Sequence, residues 1–442
     1  MSTTTASAER GTSGVTSVIG LLATAHFAHH VLTALIAPLL PFIRDEFGLS
    51  YAQSGIVTAS FTIAYGIAQL PAGWLSDRVG PRYLLFVGIT GVAIAGAFIG
   101  ISPVFPLLLL GLVLMGVAGG GYHPASSAII ARLVRPERRG RAMGLHIIGG
   151  SSSHFLAPLI AAGMVAVVGW RGSFLALSAP VAVLGVVLFV LIVRRMSAGG
   201  GWAAMGSAAA TDAAATDAAA DTDGRGPASP AQARTEARGP DCRTDRPSVA
   251  VRMTFFLIVT GFIGASIGTI IPFIPLYLVD VRGVDERLAA GIISIIFGAG
   301  FFAAPLGGWL SDVFGRVRVM TVLGVLTAPA LALLIVAPFP FGIAVLLLII
   351  GMLMFTKMPT AEAHIASEIS EKHRTTVLGI YFFSGMEGSA ILTPILGRVI
   401  DRFGFTAGFL SLASLLGAVA LVCGGALAVL NRGRAASATP GN

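Results

Sequence analysis

The sequence predicts an all-α membrane protein with twelve transmembrane helices in two six-helix bundles. Only 11% of the 442 residues are charged and 55% are hydrophobic, whereas a soluble globular domain carries about 25% charged residues. The mean hydropathy is +0.86, and apolar runs of about 20 residues, long enough to cross a bilayer, recur along the chain. The two halves of the chain also repeat each other. An ordinary soluble enzyme is therefore excluded.

Apolar runs bounded by charges and Gly/Pro turns place the helices, which we number α1 to α12. They cover 17–42, 52–75, 82–102, 105–131, 142–168 and 171–193 in the first half, and 252–280, 288–310, 317–336, 341–364, 376–400 and 404–430 in the second. The apolar run of α1 is too long for a signal-peptide h-region, and further spans follow it. We therefore expect α1 to stay in the mature protein.

Lysine and arginine predict the orientation, because basic loops stay on the cytoplasmic side of a membrane. With both termini inside, most basic residues lie in inner segments, and the outer loops hold only Arg44, Arg171, Arg282, Arg287, Arg398 and Arg402. We expect a multi-pass protein of the inner (plasma) membrane with cytoplasmic termini.

The helices and the polar segments predict five regions. Residues 1–16 and 432–442 are cytoplasmic tails, 17–195 and 251–431 are the two bundles, and 196–250 connect them. This connection is rich in Ala, Asp, Thr, Pro and Arg and cannot bury enough apolar surface to offset its ordering entropy. We interpret it as a flexible cytoplasmic linker, with a short helix on the membrane surface as the alternative.

The two halves repeat each other at a nearly fixed offset. GWLSDRVGPR begins at Gly73 and GWLSDVFGRVR at Gly308, an offset of 235 residues, and the same offset relates Pro124 to Pro359 and Gly150 to Gly385. A parallel repeat of this kind is typical of transporters whose halves rock around a site near the middle of the membrane. A channel or a membrane enzyme needs no such duplication.

The paired GWLSD loops resemble motif A of the major facilitator superfamily, and the resemblance covers all twelve predicted helices. Within that superfamily, HFAHHVLTALIAPLLPFIRDEFGLS in α1 and GGYHPASSAIIARL in α4 resemble the fosmidomycin-resistance-type efflux group. The resemblance implies the major facilitator fold and a central cavity between the halves. It also implies that α1, α4, α7 and α10 line this cavity, with help from α2, α5, α8 and α11.

Motif A carries the residues that we expect to form a gate, namely Gly73, Asp77, Arg78, Gly80 and Arg82 in the first half and Gly308, Asp312, Gly315 and Arg316 in the second. Glycine allows a tight turn and a close approach of helices, and a carboxylate favours the positive N-terminus of a helix. The resemblance implies that Asp77 faces the start of α11 near Arg374 and Thr375, and that Asp312 faces the start of α5 near Arg139 to Arg141. These contacts would close the inner side in the outward-facing state. The alternative is a loop whose charges only fix topology.

Two patterns of the superfamily's antiporters are incomplete here. In α5 small residues occupy the positions of the antiporter motif, but most of its glycines are replaced, as at Ser153, Ala157 and Ala161. The drug–proton antiporter arginine of α4 is missing between Pro106 and Ile130. Antiport therefore follows only weakly from these motifs.

Ionisable residues inside a membrane are costly, so each needs a partner, a water-filled cavity or a function. The helix limits place near mid-depth, or slightly toward the cytoplasm, the candidates His26, His29, His30, His123, His154, Lys357 and Glu387. His146, Glu362 and His364 are expected close to the inner surface, where snorkelling explains them. The helices α3, α6, α9 and α12 contain no ionisable residue beyond their ends, so every central candidate lies on a cavity-lining helix.

These residues suggest how transport could be coupled to protons. We expect Glu387 with one or more of His26, His30 and His154 to bind and release the coupling proton, because histidine exchanges protons near neutral pH. Lys357 would attract an anionic substrate or pair with Glu387. For each histidine, a neutral core role is the alternative.

The leading interpretation is a secondary active transporter of a small organic compound, by proton-coupled efflux of a drug or organic anion. Uptake of an organic anion by proton symport is the alternative, and a transporter-like sensor or assembly scaffold is a further one. No P-loop, Rossmann or HExxH motif occurs, and Cys242 and Cys423 have no metal-ligand spacing. We therefore expect no enzyme activity, no metal and no cofactor, with H⁺ as the coupling ion. The expected partners are the substrate and the lipid bilayer. We expect no nucleic-acid binding, and we expect the protein to be a monomer.

Overall fold

The computed structural model describes residues 2–134, 136–198 and 249–436, and within these ranges it contains helices and short connections but no strand. The predicted linker therefore lies largely outside the described residues. The first helix begins at Ser2, well before the predicted start of the span at residue 17. Residues 2–10 contain neither proline nor glycine, so nothing in their sequence ends the helix there.

The helices follow the predicted order. In the first half they are α1 (Ser2–Thr33 and Ile36–Phe47), α2 (Tyr51–Val79), α3 (Pro81–Phe86, Val87–Gly91 and Val92–Ile101), α4 (Phe105–Gly119 and Tyr122–Leu133), and α5 and α6 within Pro136–Ala198. In the second half they are α7 (Val249–Ile270 and Phe273–Asp280), α8 (Glu286–Ile292, Ser294–Gly298 and Gly300–Phe314), α9 (Arg316–Leu333), α10 (Phe341–Glu368), and α11 and α12 within Glu371–Ala436.

Two of the apolar helical stretches each cross a membrane twice. Ala142–Arg194 and Thr376–Asn431 contain 53 and 56 residues, more than twice the roughly 20 residues that one crossing needs. Each is interrupted by a glycine with non-helical backbone angles, Gly169 at φ 69° and Gly404 at φ 80°. The ten apolar stretches of the described chain therefore give twelve spans, and the predicted fold class is confirmed.

The backbone repeats along with the sequence. The six described glycines with positive φ form three pairs at the 235-residue offset, namely Gly48 and Gly283, Gly80 and Gly315, and Gly169 and Gly404. A side chain with a Cβ is strained at such angles, so each half turns its chain at equivalent places. The two halves thus share one connection geometry as well as one motif.

Proline interrupts the first helix of each half at equivalent places. The helix of α1 is broken between Thr33 and Ile36, just before Pro38, and that of α7 is broken at residues 271 and 272. Proline lacks the N–H that the preceding turn needs and clashes with it. Each half therefore bends its first helix at the same place.

Helices within one half pack closely where one of them carries glycine. A Cβ on Gly149 of α5 would lie 2.0 Å from the carbonyl oxygen of Ala23 in α1, and one on Gly351 of α10 would lie 2.2 Å from that of Ile296 in α8. Because membrane helices associate through close packing rather than the hydrophobic effect, these contacts set the positions of α1 against α5 and of α8 against α10.

The two halves meet at the end that carries the connections 48–50 and 281–285, which we call the outer end after the predicted orientation. Arg44 forms an ion pair with Asp280 of the other half, with Nη2 2.9 Å from Oδ1, and the Tyr51 hydroxyl donates to the same carboxylate at 2.8 Å. The carboxylate of Asp401 accepts hydrogen bonds from the backbone N–H groups of Tyr51 and Ala52, at 2.8 and 3.0 Å. It thereby caps the N-terminus of α2 from the opposite half.

Contacts between α2 and α11 continue inward as far as mid-depth. A Cβ on Gly397 would lie 2.3 Å from the Tyr51 carbonyl oxygen, and one on Gly55 would lie 2.7 Å from the backbone of Pro394. Further toward the inner end, equivalent side chains are uncovered, with Trp74 and Trp309 exposed by 57% and 58%. The described contacts between α2 and α11 therefore lie at the outer end and at mid-depth.

The close packing of α1 on α5 predicts a sharp difference between two glycines of α5. Gly149→Ala should lower the melting temperature in detergent by roughly 2–5 °C, because forcing a methyl group against a backbone carbonyl costs about 1–3 kcal/mol. Gly163→Ala is the matched control, since a Cβ there meets no atom within 4 Å, and it should leave the melting temperature unchanged or raise it. Equal melting temperatures for the two variants would contradict the packing.

Candidate transport site

Six of the eight histidines of the chain lie together in the first half. The ring of His30 in α1 lies 4.9 Å from that of His26, 5.3 Å from that of His123 in α4 and 4.6 Å from that of His154 in α5, measured between centroids. The Nε2 atoms of His30 and His123 are 3.3 Å apart. Residues that are far apart in the sequence therefore form one cluster between α1, α4 and α5.

His146, which its predicted depth places near the inner surface, belongs to this cluster. Its ring stacks on that of His26 with centroids 4.3 Å apart, and its side chain is 2% exposed. His146 and His154 are eight residues apart, two turns on one face of α5, just as His26 and His30 are one turn apart on α1. Spacings of four and eight residues each place two histidines on one helix face, and this pattern in the sequence could have assigned His146 to the cluster.

His29 lies beside this cluster, with its ring centroid 4.6 Å from that of His30, but its ring nitrogens bond to other groups. Its Nδ1 lies 2.7 Å from the carbonyl oxygen of Gly88, in the π-helical segment Val87–Gly91, and its Nε2 lies 3.4 Å from the hydroxyl of Tyr65. The ring also stacks on Tyr122 and is fully buried. Both ring nitrogens thus have partners within the first half, which gives His29 the bonding of a core residue.

Lys357 of α10 lies in the second half, against α7 and α11. A Cβ on Gly264 of α7 would lie 2.6 Å from its Nζ, and its ammonium group lies over the ring of Tyr381 at 5.3 Å. The aromatic face attracts the cation, and the glycine leaves room for it. Among the described residues Lys357 forms no ion pair.

Glu387 of α11 points at α2 of the other half. It is 8% exposed, and a Cβ on Gly66 would lie 1.6 Å from its Oε1. Within the described part of the chain, Oε1 has no hydrogen-bond partner. Glu387 is thus a buried carboxyl group at the junction between the halves, with space provided by a glycine.

Glu387, Lys357 and the histidines have similar predicted depths in the membrane, but they lie apart in the structure. In the described ranges no hydrogen bond or ion pair joins Glu387 to the histidines, and none joins it to Lys357. The expected Lys357–Glu387 pair is therefore not formed in this state. Depth along the membrane places such residues in one layer but does not say which helix faces lie side by side.

The motif A loops end α2 and α8 in the same way. Gly80 and Gly315 terminate these helices at φ 93° and 85°, as the expected tight turns require. A Cβ added to Gly73 or to Gly308 would meet no atom within 4 Å, so neither glycine makes the expected close helix approach in this state.

The charged residues of motif A are partly described. The guanidinium groups of Arg78 and Arg82 lie over the rings of Trp74 and Tyr83, at 4.1 and 4.6 Å. Asp77 and Asp312 are exposed. The side chains of their expected partners Arg374, Thr375 and Arg141 lie outside the described residues, while the Nε of Arg139 donates to the carbonyl oxygen of Val134 at 3.0 Å.

Comparison with known proteins decides the family. Residues 22–391 match the model of the Major Facilitator Superfamily. The chain belongs to this superfamily. A bacterial homologue of the human lysosomal transporter Spinster, solved in an inward-facing and occupied conformation, superposes with a TM-score of 0.70 at 16% identity and covers 95% of this chain and 97% of that one. That likeness confirms the fold alone.

Two curated relatives are transporters or resistance proteins by name. The probable sulfoacetate transporter SauU of Cupriavidus necator is 24% identical over 419 residues, which cover 91% of this chain and 92% of that protein. The fosmidomycin resistance protein of Escherichia coli K12 is 28% identical over 181 residues, covering 41% of this chain and 44% of that protein. The resemblance to the fosmidomycin-resistance group thus extends over less than half of either chain.

Proposed function

We propose that this membrane transporter moves a small organic anion, coupled to protons, and that it works as an exporter. The observation that carries the proposal is the ammonium group of Lys357, which has no ion-pair partner among the described residues. An ammonium group inside a membrane needs a compensating negative charge or water. An anionic substrate that enters between the halves supplies that charge.

The surroundings of Lys357 suit a substrate rather than a structural ion pair. Its neighbours Gly264 and Tyr381 offer space and an aromatic face, and neither neutralises the charge. Sulfoacetate, which the name of one relative specifies, is an anion, and the name of the other relative denotes resistance, which supports export. Lys357 on the second half and the histidine cluster on the first would contact the substrate from opposite sides.

Glu387 is the group that we assign to the coupling proton. Its carboxyl lies where α11 meets α2, and burial of Oε1 without a hydrogen-bond partner in the described part of the chain favours the protonated form. Separation of the halves at the outer end would admit water and allow the carboxyl to take up a proton from the outside, and its later release to the inside would complete the exchange for an exported anion. Proton binding by Glu387 is thereby linked to the same contact that closes the outer end.

The two ends of the molecule would be closed in alternation. In this state Arg44 and Asp280 hold the outer end. The proposed inward counterparts are Asp77 and Asp312 of motif A, each at the start of a helix of the opposite half once the inner faces of α2 and α8 are covered. Each set of contacts favours one state of the same equilibrium.

Replacement of Lys357 tests the recognition of the anion. Lys357→Gln should raise the KM for sulfoacetate in proteoliposomes at least tenfold, because a charge-assisted hydrogen bond contributes about 1.5–3 kcal/mol, and Lys357→Arg should retain part of the affinity. Lys372→Gln, at the only other lysine of the chain, is the matched control and should transport as the unmodified protein does. Unchanged KM in Lys357→Gln, or equal loss in both variants, would argue against a role in anion binding.

Replacement of Glu387 tests the coupling. Glu387→Gln should abolish accumulation driven by a pH gradient while sulfoacetate exchange without a gradient persists, because glutamine is a permanent mimic of the protonated side chain. Glu362→Gln in α10 is the matched control and should keep gradient-driven accumulation. An intact pH profile in Glu387→Gln would exclude this residue as the proton carrier. Accumulation in acid-loaded everted vesicles, abolished by a protonophore, is expected for export, whereas accumulation only in right-side-out vesicles would indicate uptake.

A further inference from the structure

The histidine cluster brings one ring nitrogen from each of three histidines close together. The ligand atoms of His26, His30 and His123 all lie within 4.8 Å of one another. Two of them, the Nε2 atoms of His30 and His123, are 3.3 Å apart. Zinc–nitrogen bonds are about 2.0–2.1 Å long, so two ligands of a tetrahedral zinc ion are separated by about 3.3–3.4 Å. The observed spacing therefore equals that of a ligand pair.

Hydrogen bonds on the far side of the rings fix which nitrogen carries the lone pair. The Nδ1 of His26 lies 3.0 Å from the carbonyl oxygen of His146, and because a carbonyl only accepts, this Nδ1 carries the proton in the neutral ring. The Nδ1 of His30 lies 3.3 Å from Oγ1 of Thr33, whose hydroxyl donates to the His30 carbonyl oxygen. Both Nε2 atoms are thereby left as lone-pair donors, which is the usual arrangement for histidines that bind a metal.

One of these lone pairs is buried without a partner. His26 is only 5% exposed, and its Nε2 has no hydrogen bond within the described part of the chain. A hydrogen bond between His30 and His123 would explain the spacing of that pair, but it leaves the Nε2 of His26 unexplained. A buried polar atom without a partner costs about 1–3 kcal/mol, and a metal ion held between the three rings would give this nitrogen a partner.

We propose that His26, His30 and His123 form a binding site for a divalent transition-metal ion of the zinc class. Imidazole nitrogens suit zinc, copper and nickel rather than magnesium or calcium. Three neutral imidazoles leave the charge of the ion uncompensated, so the fourth tetrahedral position takes hydroxide or an anionic ligand. This site replaces the expectation of no metal, which rested on the absence of any linear metal motif.

The site lies beside the pathway of the proposed function, yet its affinity is measured without transport, so the two proposals can fail separately. The experiment uses the full-length protein in detergent, stripped of metal with a chelator and titrated with Zn²⁺ by calorimetry, and with Co²⁺ by visible absorption. One Zn²⁺ per chain should bind, and Co²⁺ should give the intense absorption of a tetrahedral site. His30→Gln and His123→Gln should each weaken Zn²⁺ binding at least tenfold, whereas His123→Cys, which keeps a ligand atom, should retain it.

His364→Gln is the matched control, because His364 is also a buried histidine but packs on Phe256 in the second half, with ring centroids 4.2 Å apart. It should bind Zn²⁺ as the unmodified protein does. Thr33→Val keeps all three ligands and should weaken binding severalfold through the lost Nδ1 partner of His30, which provides a test should a histidine variant fail to fold. The proposal is overturned by the absence of stoichiometric binding, or by binding that is insensitive to His30→Gln and His123→Gln, or that is lost equally in His364→Gln.

Discussion

The structure depends on one constraint, which is that hydrocarbon offers no water to polar groups. The peripheral helices α3, α6, α9 and α12 meet it by carrying no ionisable residue beyond their ends. The interior His, Lys and Glu side chains lie on α1, α4, α5, α10 and α11, where other helices cover them. Several of them have a glycine opposite that leaves room, as Gly150 faces His26, Gly264 faces Lys357 and Gly66 faces Glu387. Small residues in the helix packing therefore provide the space in which ionisable side chains can be buried.

The polar groups are divided between halves that can move against each other. The clustered histidines belong to the first half and Lys357 to the second, whereas Glu387 and the pairs of Arg44 and Asp401 lie where the halves touch. Contacts inside a half use backbone approaches that a single methyl group would disrupt. Those between the halves combine such approaches, at Gly55 and Gly397, with ion pairs and a helix cap at the outer end. Water can replace the ion pairs and the cap, which suits a rocking of two rigid bundles against each other.

The sequence predicts the fold well because its signals are local. Apolar runs define the spans, and the 235-residue offset predicts paired turns that appear as three pairs of left-handed glycines. The candidate site is predicted less well, since it depends on which helix faces meet. Predicted depth alone places His146 at the inner surface and Glu387 beside the histidines. In the structure α5 lies against α1, which buries His146 in the cluster, and α11 lies against α2, which keeps Glu387 away from it. His26, His30 and His123 likewise lie on two different helices, so no motif in the linear sequence indicates that they are close together.

The most direct test of alternating access is to measure two distances on the same pair of helices. Spin labels at Ile101 and Val336 report on the outer end and labels at Val87 and Val322 on the inner part, at positions exposed by 64, 71, 49 and 48%, with Cys242 and Cys423 replaced by serine. Asp280→Asn removes an ion pair that contributes roughly 1 kcal/mol. It should shift the population about fivefold toward a state with a longer outer and a shorter inner distance, while Glu46→Gln, which breaks a pair inside the first half, should change neither. Outer opening without inner closing, or no change at either end, would contradict the account.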